Sequence, residues 1–521
     1  MSLIFRRICT KCSHIISIII LLLLNVCITY EVRAEELQTF NNIDLVIMCN
    51  DNTIDNQVEN IVVNNGGQII RTVPELGTIE VECAGELIPK LESMHSVKTI
   101  CINSTIQLKR DIVLYSNDNN SNNNYYEDKS TNYYEDKGNS YYEDKGTSYY
   151  EDKGNSYYED KGTSYYEDNN NDDVFTGNLY DRYQWDVKKV TNNGESYKIN
   201  KGNHSIVIGI IDSGIDTKHQ DLVMNFLGGK NLVPNHFKND ISELGDINDV
   251  KDRYGHGTNV AGQIAANGRL KGVAPNIGIK SYRIFNKNGQ TDAATCADAI
   301  INAVNDNVNV INLSFNAYYL KGACTYIDSK TGNRYDLGDD TANYELLRKA
   351  IKYAVDNNVI VVTSAGNNSL NCSNSENLIK NFNDLYENYG LYYTGLMRAV
   401  PGCFDEVINV SATNKNDLLS SYSNYGYGFI DISAPGGDND DDINGMCLTT
   451  NMDNGYAFVY GTSFAAPKVS ALAGLILSNN PQYSVQEVIK KINDTSIKSN
   501  NRNSKEYYGE GIINCYNALN D

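Results

Sequence analysis

Positive charge is what this chain of 521 residues most plainly lacks. Lys and Arg number 44 against 65 Asp and Glu, a net charge of −21. A surface of that sign repels phosphate, which argues against nucleic acid or an anionic membrane surface as a partner. Long apolar runs are also missing beyond the first thirty residues, so no later stretch can span a bilayer. After the N-terminal segment there is no Cys-x-x-Cys pair of metal-binding spacing, which argues against a zinc site.

What is present begins at the N-terminus. Arg6, Arg7 and Lys11 precede an apolar run from Ile15 to Ile28, broken only by Ser17 and Asn25. Val32 and Ala34 match a small-x-small cleavage pattern, so residues 1–34 read as a signal peptide. The alternative is an uncleaved anchor, for which the run falls short of the roughly 20 residues a spanning helix needs. Either way the chain enters the secretory pathway, to be secreted, stored in secretory organelles or held at the cell surface. Cysteines fit that compartment. Cys49, Cys83 and Cys101 fall in one region, and Cys296, Cys324, Cys372, Cys403, Cys447 and Cys515 in another. Their wide spacing suits disulfide staples with pairing left open.

Residues 35–115 read as a small α+β unit. Asp44–Cys49, Gln68–Val73, Thr78–Cys83 and Val97–Ile102 are β-prone. Ile54–Val63 and Ala84–Met94 carry apolar residues at helical spacing. The order β-α-β-β-α-β is a ferredoxin-like pattern that by itself names no function. Residues 116–174 are a low-complexity linker. Tyr-Tyr-Glu-Asp recurs at Tyr125, Tyr133, Tyr141, Tyr149, Tyr157 and Tyr165, flanked by Asn runs. Without an apolar face, this tract is expected to be disordered.

Residues 175–521 alternate continuous apolar strands with helices, the signature of a doubly wound parallel sheet covered on both faces. Sites in such sheets lie at the carboxyl ends of strands. Three short blocks sit there. The apolar strand Ser205–Ile211 ends at Asp212. His256, flanked by Gly255 and Gly257, opens a helix. Ser463 follows Gly461-Thr462 and opens an Ala-rich helix. Together they are the parts of an activated nucleophile: a serine, a base to take its proton, and a carboxylate to hold that base.

The blocks Asp212-Ser213-Gly214-Ile215, His256-Gly257-Thr258-Asn259-Val260-Ala261-Gly262 and Gly461-Thr462-Ser463-Phe464-Ala465-Ala466-Pro467 resemble the signatures of the subtilisin family. Ser364-Ala365-Gly366-Asn367 resembles the family's oxyanion segment. The resemblance covers residues 175–521, about two-thirds of the chain. It implies a secreted serine endopeptidase with Asp212, His256 and Ser463 as triad and Asn367 as oxyanion donor. It implies that residues 35–115 are an inhibitor-like propeptide, a partner the enzyme carries within its own chain. Substrate peptides are expected to lie between Asn288, Gly289 and Gln290 on one side and Leu313, Ser314, Phe315 and Asn316 on the other. Ala365 and Gly366 complete that set.

Departures from the family pattern are Asn259 and Lys468, where a second and third His are frequent, and Phe315-Asn316-Ala317 in place of Leu-Gly-Gly. The altered pocket motivates a competing expectation, a pseudoprotease acting as a surface or binding protein. No cofactor is required for the chemistry. Structural calcium has room at acidic stretches 240–252 and 438–442, but the metal ligands stay open. Asp221 matches one ligand of the bacterial calcium site, whose loop ligands are absent. Asn-x-Ser/Thr acceptors at Asn103, Asn203, Asn371, Asn409 and Asn493 suggest a glycoprotein. The Asn-rich repeats resemble those of protozoan-parasite proteins. The maturation cut is expected between Leu108 and Val174.

Overall fold

A computed structural model describes residues 43–108, 112–114, 178–327, 329, 332–439, 442–499 and 504–520. The signal segment and the tyrosine-rich linker lie outside the described residues. Residues 43–114 and 178–520 belong to one compact unit.

The N-terminal part is a four-stranded antiparallel sheet in the order Gln68–Val73, Thr78–Cys83, Ile43–Cys49, Val97–Ile102. Helices Asn56–Asn64 and Ile88–Glu92 complete the β-α-β-β-α-β order read from the sequence. Leu45, Ile47, Ile79 and Val81 alternate onto one face and form its core with Val58, Val62 and Leu91.

The large part is built on a seven-stranded parallel sheet. Its order is Ile432–Pro435, Ile408–Thr413, Ile360–Ser364, Val310–Leu313, Val207–Asp212, Gly278–Arg283, Phe226–Asn231. The expected central strands are present. The two edges were not read from the sequence, because Phe226–Asn231 holds two glycines and Ile432–Pro435 ends in proline. An edge strand packs on fewer neighbours and needs no continuous apolar run. Also unforeseen is a three-stranded antiparallel sheet. Ala317–Ile327 pairs with Leu391–Val400 over ten register positions and with Arg334–Asp336 on its other side. The helix Ser375–Tyr386 packs on this sheet through Phe382 and Tyr386, whose rings meet Tyr393.

Eight of the nine described cysteines are buried. Buried cysteines pack as small core hydrophobes. Of the glycan acceptors, Asn203 is exposed, whereas Asn103 and Asn409 are buried.

The small sheet lies against the helices Ala293–Asn305 and Thr341–Asp356 of the large part. Arg71 reaches across, donating to Asp298 Oδ2 at 2.6 Å and to Leu232 O at 2.8 Å. Beside it, carboxyl oxygens of Asp44, Glu80 and Asp292 lie within 4.8 Å of one another. Asp292 comes from the large part, where its Oδ1 caps the helix at Thr295 N. Burial, then the charge of Asp292, pushes Asp44 up to about 7. The same two causes hold Glu80 well above the usual carboxylate range.

Candidate active site

Three adjacent parallel strands deliver the site at their carboxyl ends. Val207–Asp212 is a central strand with five of its six residues buried, and Asp212 is its last. The Asp212 carboxylate accepts from Ser213 N at 2.7 Å. His256 Nδ1 lies 2.9 Å from Asp212 Oδ1 and 3.0 Å from Oδ2. A carboxylate only accepts, so Nδ1 carries the hydrogen of this contact. Asp212 is 1% and His256 3% exposed.

The helix His256–Ala265 starts where it does because of Asp252. One oxygen of this buried carboxylate accepts from Tyr254 N, Gly255 N and Ser213 Oγ. The other accepts from Thr258 N and Thr258 Oγ1. Negative charge is thus placed at the helix N-terminus, where unpaired N–H groups and the helix dipole favour it. Gly257 is required: a Cβ there would lie 2.1 Å from Gly214 O. Asp252 closes the acidic stretch 240–252. Its oxygens hold the start of the His256 helix through these five bonds. The signal that could have found it is an Asx-turn residue four positions before His256.

The segment that carries Ser463 begins at Gly461, whose φ of 147° is open chiefly to glycine. Ser463 lies in the first turn of the helix Thr462–Asn479 and is partly exposed. Its Oγ donates to Ser314 O at 3.0 Å. The Phe464 ring packs 5.6 Å from the His256 imidazole. Asn367 follows the strand Ile360–Ser364. Its Oδ1 accepts from Thr462 N at 3.0 Å and Thr462 Oγ1 at 2.7 Å. These bonds fix which end of the amide is nitrogen, and they tie it to the residue before Ser463. Gly366 is pinned as well, since a Cβ would meet Asn424 Nδ2 at 2.6 Å and Asn316 Cγ at 2.7 Å.

The expected substrate rails are placed as follows. Gln290 opens the strand Gln290–Asp292, which is paired antiparallel with Thr105–Gln107. Leu108 N donates to Gly289 O at 2.8 Å, and Gln107 Nε2 to Asn288 O at 2.8 Å. Tyr254 Oη donates to Leu108 O at 3.0 Å. Leu313 ends an interior strand, and Phe315 is buried with its ring against Phe285. Ala365 is fully buried. Beyond residues 109–111, Ile112–Leu114 pair antiparallel with Ala457–Val459, just before Ser463.

Among the acidic side chains, Asp221 accepts from Arg269 N and Leu270 N at 3.0 Å and from Tyr456 Oη at 3.2 Å. Asp240 is held down at about 2: burial opposes this, and bonds from Lys287 and Ser242 outweigh it. Asp438 accepts from Ser421 and from Asn439 N.

The sequence profile of the Subtilase family, peptidase S8, matches residues 203–511. The chain belongs to the subtilase family. It is 31% identical over 373 residues to the epidermin leader peptide-processing serine protease EpiP of Staphylococcus epidermidis, covering 68% of this chain and 77% of that protein. It is 36% identical over 361 residues to the nisin leader peptide-processing serine protease NisP of Lactococcus lactis, covering 65% of this chain and 49% of that one. The crystal structure of EpiP from Staphylococcus aureus superimposes with a TM-score of 0.69 at 27% identity, over 92% of this chain and 98% of that one. For NisP the TM-score is 0.58 at 33% identity, over 66% and 94%. This subtilase is accordingly a subtilisin-type serine endopeptidase that acts on peptide bonds of protein or peptide substrates.

Proposed function

We propose that this subtilase is a secreted zymogen with Asp212, His256 and Ser463 as its triad, Asn367 as oxyanion donor, and residues 35–115 as an intramolecular inhibitor. The observation that carries the zymogen reading is the course of its own chain. Thr105–Gln107 lies as an added strand on Gln290–Asp292, and Ile112–Leu114 lies as one on Ala457–Val459. Main-chain pairing of this kind is how an extended peptide docks on a sheet edge. The two pairings lie on either side of residues 109–111 in the sequence, and maturation falls between Leu108 and Ile112.

In the reaction, His256 Nε2 takes the Ser463 hydroxyl proton as Oγ bonds to the scissile carbonyl carbon. The carbonyl oxygen becomes the oxyanion and takes donors from the Asn367 amide and Ser463 N. Asp212 holds the ring and stabilises the imidazolium. The imidazolium then protonates the leaving amine as the C–N bond breaks. Water repeats the cycle on the acyl-enzyme and frees Ser463. Protons pass only between Ser463, His256, the leaving amine and water, so these steps call for no cofactor. The physiological substrate is an extended segment of another secreted or surface protein. The test is N-terminal sequencing of the matured protein together with phosphonate labelling of Ser463. A first residue outside 109–112, or a label elsewhere, refutes the assignment.

A further inference from the structure

The helix Thr462–Asn479 contains Pro467. In an α-helix the N–H of residue 467 would donate to the carbonyl of residue 463. Proline has no N–H, so the carbonyl of Ser463 loses its helical partner. Ser314 Oγ fills that role at 2.9 Å. The same residue's main-chain carbonyl accepts from Ser463 Oγ at 3.0 Å. Ser463 is thus registered twice, through backbone and side chain, to the end of the strand Val310–Leu313.

The contact continues inward. Asn312 Nδ2 lies 2.8 Å from Ser314 Oγ, and Ser470 Oγ lies 2.8 Å from Asn312 Oδ1. Ser314, Asn312 and Ser470 are all fully buried. The proton order follows from the proline. Ser463 O needs a donor, so the Ser314 hydroxyl proton is spent there. Ser314 Oγ must then accept from Asn312 Nδ2. Asn312 Oδ1 in turn accepts from Ser470. Buried chains of this kind are directional and resist rearrangement, because any reversal leaves a buried group unpaired.

We propose that Ser470, Asn312 and Ser314 form a hydrogen-bond chain that positions the nucleophile, with Ser314 as the positioning residue next to Ser463. The chain acts on turnover and not on substrate affinity, because it sets the approach of Ser463 Oγ to the scissile carbon. This rests on Ser463 being the nucleophile.

The test uses the matured protein, a fluorogenic peptide copying residues 104–115, and the rate of phosphonate labelling at Ser463. Ser314→Ala is expected to lower kcat and the labelling rate about tenfold, the upper worth of one neutral hydrogen bond, with KM within about twofold. Ser314→Thr keeps a hydroxyl and restores most of the loss. Asn312→Asp when ionised has no donor for Ser314, so its turnover relative to the parent at the same pH recovers as pH falls and the carboxyl is protonated; a purely structural role gives no such profile. Ser470→Ala, the mildest variant, lowers kcat about two- to threefold and adds nothing to Ser314→Ala, because the chain is already cut. A labelled parent with an unslowed Ser314→Ala, a loss confined to KM, or additive Ser470→Ala and Ser314→Ala effects overturns the chain. An unlabelled parent removes the nucleophile assignment itself, and the chain with it.

Discussion

Lys468 and Asp186 are both fully buried, with Nζ 2.8 Å from Oδ2. Lys468 also donates to Phe464 O at 2.9 Å and lies 3.9 Å from Cys447 Sγ. Burial, followed by the charge of Asp186, raises the Cys447 thiol well above its ordinary range, so it stays protonated beside the pair. Changing Lys468 to Met removes the cation and strands a carboxylate in the core. Breaking a buried pair from one side costs about 3–5 kcal/mol. For a part of this size, each kcal/mol shifts Tm by about 2 °C, so the loss is about 6–10 °C. Asp186→Asn strands the ammonium and falls in the same range. The double variant Asp186→Asn/Lys468→Met loses far less than the two losses together, because neither charge remains. The melt is best followed in a Ser463→Ala background, which prevents self-digestion of unfolded chains. The one tryptophan, Trp185, precedes Asp186 and donates to Met446 O at 2.8 Å, so its fluorescence reports on this region. A Lys468→Met melt within about 2 °C of the parent, or strict additivity, would refute the argument.

Ser463→Ala is expected to abolish self-maturation while leaving the fold intact; a purified Ser463→Ala protein that still loses its N-terminal part on electrophoresis contradicts this. Asn367→Ala should lower kcat by about 10²–10³ with little change in KM, since the donor acts on charge that develops in the transition state. Steady-state kinetics decide it, and an unchanged kcat would place the oxyanion donor elsewhere. The carboxyl cluster at the small sheet gives a pH dependence. Because the assembled chain raises Asp44 to about 7 from an ordinary 3.8, it holds a proton there that the unfolded chain releases. Its contribution is therefore fully present below about 4, declines as pH rises towards 7, and is flat above that. Glu80, Asp292, Glu82, Lys238 and the Arg71–Asp298 pair share the environment, so Asp44→Asn in the uncut Ser463→Ala protein should flatten the Tm–pH curve in that window. A curve unchanged by Asp44→Asn rejects this role.

Local sequence carried much of this protein. The run Val207–Asp212 is apolar because the strand is buried, and its terminal aspartate could only be tolerated there with a partner. Glycines at 257 and 461 mark a close approach and a backbone conformation that side chains resist, so the blocks around His256 and Ser463 stood out. Alternating apolar residues in Ile43–Cys49 and Thr78–Cys83 gave the small sheet. Such features are dictated within a few residues of one another.

Other features depend on partners far apart in the chain. Asp252 looked like one acid among many until Ser213, Thr258 and two backbone amides converged on it. Ala317–Ile327 has no signal for its partner some 70 residues on, because register is chosen by the face each strand buries. The same holds for Lys468 with Asp186, and for Ser470, Asn312 and Ser314 around the carbonyl that Pro467 leaves unpaired. The strand that Ile112–Leu114 adds beside Val459 is likewise invisible in either segment alone. Sequence by itself marked the residues proposed to carry the chemistry, because that rests on residue type and local backbone. Tertiary structure alone decided what holds them in place, because buried polar groups must be satisfied by whatever the fold brings within about 3 Å.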